Sequence, residues 1–153
     1  MRSRAGVSRG EPRAESPLRG GVAVRDGADG AAWYTIRMNE KAISALWEIF
    51  GERLKTSLED RICYSYDATG KEFLPDAVAY PLSAEDVRRT MLLANEHRFP
   101  VVPRGAGSGF SGGSLPVRGG VVLSTERMDR ILSIDTGNLV AVFQCTIAID
   151  PEA

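Results

Sequence analysis

Cysteine and histidine are scarce in this sequence. Its 153 residues hold two cysteines, Cys63 and Cys145, and one histidine, His97. The cysteines lie far apart and form no metal-ligating or redox spacing. Unpaired cysteines suit a reducing compartment, so a cytoplasmic location is expected. Net charge is −1, which gives no reason to expect a nucleic-acid partner or a charged membrane surface. No apolar run approaches the ~20 residues of a membrane span. The amino-terminal stretch has no apolar core and cannot be read as a secretory signal, and Glu11, Glu15, Asp26 and Asp29 argue against a transit peptide. The length allows one globular domain at most.

Glycine, in contrast, is plentiful and concentrated. Gly105, Gly107, Gly109, Gly112 and Gly113 fall within Pro103-Arg-Gly-Ala-Gly-Ser-Gly-Phe-Ser-Gly-Gly-Ser-Leu-Pro116. Composition alone also fits a flexible linker. Three features favour a folded loop. Apolar runs flank it, Val101-Val102 before and Val121-Val122-Leu123 after; Phe110 and Leu115 interrupt it; and Arg104 stands at its mouth, where a cation could assist an anion. Backbone N–H groups exposed in such a loop form a nest for anions, so a phosphate or pyrophosphate is the expected ligand. Gly107-x-Gly109-x-x-Gly112 formally matches the dinucleotide fingerprint, but that motif needs a helix starting inside it. Pro116 and Gly119-Gly120 would break such a helix. The P-loop ending Gly-Lys-Ser/Thr is absent as well.

Residues 1–32 show no apolar periodicity and read as disordered. Ile43, Leu46, Trp47 and Phe50 have helical spacing, with Asn39 as N-cap and Gly51 as stop; Trp47 is expected to pack in the core. Ala77 to Pro81 reads as a strand. Ser83-Ala-Glu-Asp86 opens a second helix with a capping-box-like spacing, whose inner face is expected from Val87, Met91, Ala94 and Leu92 or Leu93. His97 falls in its last turn, at the negative end of the helix dipole. Val101-Val102 is a second strand, parallel to the first through that helix, and the glycine loop follows at its carboxyl end, where α/β sheets bind ligands. Val121 to Ser124 is a third strand, Glu126 to Arg130 one helical turn, and Ile131 to Ile134 and Leu139 to Phe143 a hairpin around Asp135-Thr-Gly-Asn138.

The loop from Pro103 to Pro116 resembles the FAD pyrophosphate loop of flavoproteins related to vanillyl-alcohol oxidase and p-cresol methylhydroxylase, most of all the D-lactate dehydrogenase and glycolate oxidase flavin-subunit group. The resemblance runs from about Met38 to Gln144. It implies an α+β fold: the first subdomain of a PCMH-type FAD-binding domain, a small parallel βαβ sheet with helices, plus the opening hairpin of the second. Residues 1–37 would be a disordered or non-native extension and 38–153 an incomplete domain. Tyr66 and Asp67 match a pair that recurs in the family and are read as structural, the Tyr partly buried with its hydroxyl paired. The implied cofactor-binding residues are Arg104, Gly105, Ala106, Gly107, Ser108, Gly109, Ser111, Gly112 and Gly113. Ser108 stands where covalently flavinylated branches carry His, so a non-covalent FAD is expected. The implied reaction is oxidation of a small 2-hydroxy acid of the D-lactate or glycolate type, with catalytic residues in a substrate domain outside this sequence. After Gln144 the family's Pro-Gly-Val is replaced by Cys145-Thr-Ile147. A truncated, inactive relic is therefore the alternative, and a non-flavin glycine-rich interaction domain a third reading.

Overall fold

The structure is a computed structural model that describes residues 21–24 and 33–145. Two short strands, β1 (Gly21–Val24) and β2 (Trp33–Ile36), pair antiparallel. The sequence predicts no element there; the alternating Val22 and Val24 and the aromatic and β-branched run of β2 carry the strand propensity. The rest of the segment read as disordered lies outside the described residues.

Helix α1 (Glu40–Phe50) begins where Asn39 Oδ1 accepts the Ala42 N–H at 2.8 Å and ends at Gly51, whose φ of 51° favours a residue without Cβ. Its buried stripe is Ala42, Leu46 and Phe50. Trp47 is 49% exposed, contrary to the core role expected of it. One residue past Leu46 turns it about 100° away from that stripe, and the i, i+4 line of Ala42, Leu46 and Phe50 takes the core instead. A 3-10 turn (Gly51–Arg53), the two-residue strand β3 (Leu54–Lys55) and helix α2 (Leu58–Ile62) follow. None of these short elements is legible from periodicity.

Strand β4 (Ala77–Ala79) leads to helix α3 (Ala84–His97) and strand β5 (Val101–Arg104); β6 (Val121–Ser124) follows the glycine loop. The sheet order is β3-β4-β6-β5, with β4, β6 and β5 parallel and β3 antiparallel at the edge. Strands β4 and β5 are thus joined through α3 but separated in space by β6, which is buried along its whole length. The in-register rows are Ala77, Val121, Val101 and Val78, Val122, Val102. Alternation along the strands sends the two rows to opposite faces. Ala77, Ala79, Val121 and Leu123 pack with Ala42, Leu46, Phe50, Ala94 and Phe99, on the helical side. Val78 and Val122 pack with Tyr80, and Tyr64 and Val102 flank them on the other side.

On α3 the inner face is Thr90 and Ala94, with Val87 and Leu93 partly buried; Met91, expected inside, is 45% exposed. Thr90 passes as an apolar residue because its hydroxyl donates to the Asp86 carbonyl at 2.8 Å. The capping box is displaced by one residue. Ser83 Oγ accepts the Asp86 N–H at 3.2 Å, but the Asp86 carboxylate accepts from Leu82 N–H at 3.0 Å and from Arg53 Nη1 at 2.8 Å. Burial alone would raise the Asp86 carboxyl; the Leu82 N–H and the Arg53 guanidinium outweigh it and hold it below its usual 3.8. A lowered folded-state value contributes stability above about pH 4 that is lost as pH falls through it. Asp86→Ala is expected to cost about 1–3 kcal/mol at pH 7, and the gap to wild type should narrow in urea titrations as pH falls below about 4. A gap that stays constant with pH would rule the ion pair out as its source.

Past β6, a 3-10 turn (Thr125–Arg127) occupies part of the expected helical turn. Strands β7 (Ile131–Asp135) and β8 (Val140–Phe143) form the expected hairpin. Asp135 Oδ1 accepts the N–H groups of Gly137 and Asn138 at 3.0 and 3.1 Å, and Leu139 closes the turn at φ 54°. Every residue of both strands is exposed.

Candidate functional site

The carboxyl ends of β5 and β6 open onto the glycine loop. Gly107 and Gly112 adopt φ of 71° and 74°, and the loop closes on a turn in which the Leu115 N–H donates to the Gly112 carbonyl at 3.2 Å. Leu115 and Pro116 are buried and anchor its exit, whereas Phe110 is 84% exposed. Among the described residues, the backbone N–H groups of residues 105–112 donate no hydrogen bond. Gly105 and Gly109 do not have positive φ, and a Cβ added to either would meet no atom within 4 Å. Folding therefore does not require glycine at these two positions, and its absence of a side chain leaves the backbone open to close approach. The donor set suits a polyphosphate anion.

Arg104 ends β5, and its side chain is buried beneath the loop rather than projecting at the mouth. Its Nη1 donates to the Tyr66 carbonyl at 2.7 Å, and its guanidinium carbon lies 5.4 Å from the centre of the Tyr64 ring. A Cβ on Gly107 would overlap the guanidinium, so the loop wraps directly over this cation. Among the described residues the carboxylate–cation pairs are Arg53–Asp86 and Arg88–Glu85; Arg104 has no such partner. Ala106, Ser108, Ser111 and Gly113 sit in the loop, exposed and outside any regular element.

A cleft of about 460 Å³ adjoins the loop, lined by Tyr64, Tyr66, Asp67, Arg104, Gly107 and Glu126 among others. The paired hydroxyls belong to Tyr64 and Tyr80, not to Tyr66. Tyr80 Oη donates to Tyr64 Oη at 3.0 Å, and Tyr64 Oη donates to the Glu126 carboxylate at 3.1 Å. Burial raises both phenols, so neither ionises near neutral pH. Tyr66 is 49% exposed and acts through its carbonyl. The hydroxyl pairing expected of Tyr66 is found at Tyr64 instead. Asp67 is buried; its carboxyl is held below the usual value by the Thr69 hydroxyl above all, against the opposing effect of burial, with the Thr69 N–H, Ser114 and Arg104 adding to the lowering. Tyr64 and Glu126 carry no sequence signal of their own, and only the fold brings them to the loop. His97 lies in the last turn of α3, as its spacing indicates. No group of three or more His, Cys, Asp or Glu among the described residues is placed to hold a metal ion, and no described helix is long and apolar enough to cross a membrane.

A mixed α+β domain with free N–H donors over a buried cation, at the carboxyl ends of parallel strands, has the architecture of a nucleotide-cofactor domain. Residues 75–150 match the family described as FAD binding domain. Glycolate oxidase subunit GlcD of Bacillus subtilis is 43% identical over 94 residues, 61% of this chain and 20% of the relative. D-lactate dehydrogenase of Archaeoglobus fulgidus is 40% identical over 84 residues, 52% of this chain and 19% of the relative. The structure of p-cresol methylhydroxylase with substrate bound matches with a TM-score of 0.56 at 26% identity, over 62% of this chain and 20% of that one. Over residues 75–150 the chain matches an FAD binding domain, and its fold is like that of p-cresol methylhydroxylase-type flavoproteins. It spans about a fifth of the length of these relatives.

Proposed function

We propose that this chain is the FAD-holding part of a flavoprotein that oxidises a small 2-hydroxy acid of the D-lactate or glycolate type. The observation that carries the reading is the set of unengaged N–H groups over Arg104. In this reading the N–H groups of Gly105, Ala106, Gly107, Ser108 and Gly109 hold the pyrophosphate, Ser111, Gly112 and Gly113 complete the loop, and Arg104 supplies positive charge from beneath. The substrate class is supported by the names of the two relatives. FAD, when bound, supplies the two-electron redox chemistry; the residues described here bind and orient it. The rival reading, an inactive relic, rests on the missing Pro-Gly-Val after Gln144, and the family match that continues to residue 150 weighs against it.

The same proposal makes the flavin non-covalent. Ser108 has no imidazole nitrogen to attack the flavin methyl carbon, and its hydroxyl is a poor nucleophile without an adjacent base. Acid precipitation of a full-length flavoprotein carrying this loop is expected to release yellow flavin to the supernatant. Flavin retained in the washed pellet would overturn non-covalent binding, and a purified protein with no flavin that fails to take up added FAD would overturn the binding itself.

A further inference from the structure

The two ends of the glycine loop are tied to one dipeptide. At the amino end, Arg104 Nη1 donates to the carbonyl of Tyr66 at 2.7 Å. At the carboxyl end, Ser114 Oγ donates to Asp67 Oδ2 across a longer 3.4 Å. The dipeptide is itself fixed. Asp67 Oδ1 accepts the Thr69 hydroxyl at 2.6 Å and the Thr69 N–H at 2.9 Å; the Gly70 N–H donates to the Asp67 carbonyl at 3.2 Å; and Tyr66 forms an antiparallel bridge to Glu72. Between its ends the loop has little else to define its curvature, since the N–H groups of residues 105–112 are unengaged and Phe110 is exposed.

We propose that Tyr66-Asp67 is a brace that sets the curvature of the glycine loop, and that Asp67 is a positioning residue for the cofactor phosphates. The proposal rests on the reading of the loop as the pyrophosphate site. An anion bound by backbone N–H groups needs those groups convergent before it arrives, because ordering them afterwards subtracts from affinity. Asp67 cannot be a direct ligand of a phosphate, since its carboxylate would repel it. Its two possible influences on an anion therefore have opposite signs. As a charge near Arg104 it weakens anion binding; as a brace it strengthens it.

That opposition gives the test. FAD and inorganic pyrophosphate are titrated into the full chain and into Asp67→Ala, Asp67→Asn and Ser114→Ala, with flavin fluorescence and amide shifts as readouts. Asp67→Asn keeps an acceptor for Thr69 and can donate to Ser114 Oγ while losing the charge. The brace predicts affinity at least fivefold weaker for Asp67→Ala, weaker for Ser114→Ala, and unchanged or tighter for Asp67→Asn. Equal tightening in Asp67→Ala and Asp67→Asn would mean that Asp67 acts only as a charge, and overturns the proposal. Nitrogen-15 relaxation of residues 105–114 in the ligand-free proteins reads the brace without any ligand: Ser114→Ala and Asp67→Ala should lower the amide order of the loop and Asp67→Asn should not. Ser114→Ala leaves the 66–72 turn intact and decides the matter if Asp67→Ala does not fold. Wild-type protein with an ordered loop and no affinity for either probe would overturn the pyrophosphate reading while leaving the brace to the relaxation data.

Discussion

Gly120→Ala is expected to abolish the stable fold, or to lower its unfolding free energy by about 3–5 kcal/mol. Gly120 has φ of 80°, and a Cβ built on it would overlap the carbonyl of Pro100. Neither problem is easily relieved. The Gly120 N–H donates to Asp76 Oδ2 at 2.9 Å, its carbonyl accepts from the N–H groups of Asp76 and Ala77 at 2.8 and 3.3 Å, and the Pro100 carbonyl that would have to move accepts the Val121 N–H at 2.9 Å. The glycine thus sits wedged between the starts of β4 and β5 at the point where the central strand begins. A positive φ on alanine costs about 1–3 kcal/mol, and forcing one carbon into packed backbone about 1–3 kcal/mol more. Against a total of about 5–15 kcal/mol for a domain, the sum is a large part of the stability. Urea unfolding followed by circular dichroism measures it; a midpoint equal to that of wild type would show that the backbone there yields freely.

Gly107→Val in a full-length flavoprotein carrying this loop should leave it unable to retain FAD, with affinity reduced by about a hundredfold or more. The substitution strains φ 71° and drives a side chain into the Arg104 guanidinium, which the Tyr66 carbonyl and the Tyr64 ring hold in place. The companion Gly105→Ala separates loss of site from loss of fold. No atom lies within 4 Å of the added carbon and φ is not positive, so its melting temperature should match wild type. If a ligand approaches the loop closely, Gly105→Ala should still lose much of its FAD affinity. Full flavin content in both variants, read from the absorbance ratio of purified protein, would remove the loop from the cofactor site.

The elements that periodicity and punctuation define were legible in the sequence. Asn39 and Gly51 bracket α1, Ser83 opens α3, the apolar triplets mark β4 and β6, and Asp135 to Asn138 turn the hairpin, because each rests on local capping or turn chemistry. Where sequence reasoning missed, tertiary placement decided. Trp47 and Met91 sit beside the buried stripe of their helices, and a helical pattern three residues wide does not say which edge meets the sheet. Thr90 replaces Met91 because its hydroxyl is satisfied within its own helix. For the site, the glycine loop is written in consecutive residues and could be read directly. Arg104 was expected at the mouth but lies buried under it, since the strand runs two residues further than Val101-Val102 indicates. Tyr64 and Glu126 come from segments far apart in the chain and meet only through the folded sheet.

The position of β6 also bears on how the chain acquires its fold during synthesis. The middle strand of the sheet is the last of the four to leave the ribosome. Until Val121 to Ser124 emerge, β4 and β5 have no shared partner, and the row of Val78 and Val102 lacks its middle member, Val122. At about 5–20 residues per second, the 20 residues from Gly105 to Ser124 leave both edges waiting for about 1–4 s. The glycine loop is the tether that delivers the middle strand, so lengthening it would prolong that interval. Nascent chains stalled before residue 121 should show neither the sheet nor the helices packed on it in stable form, and both should appear together once the middle strand is free of the tunnel.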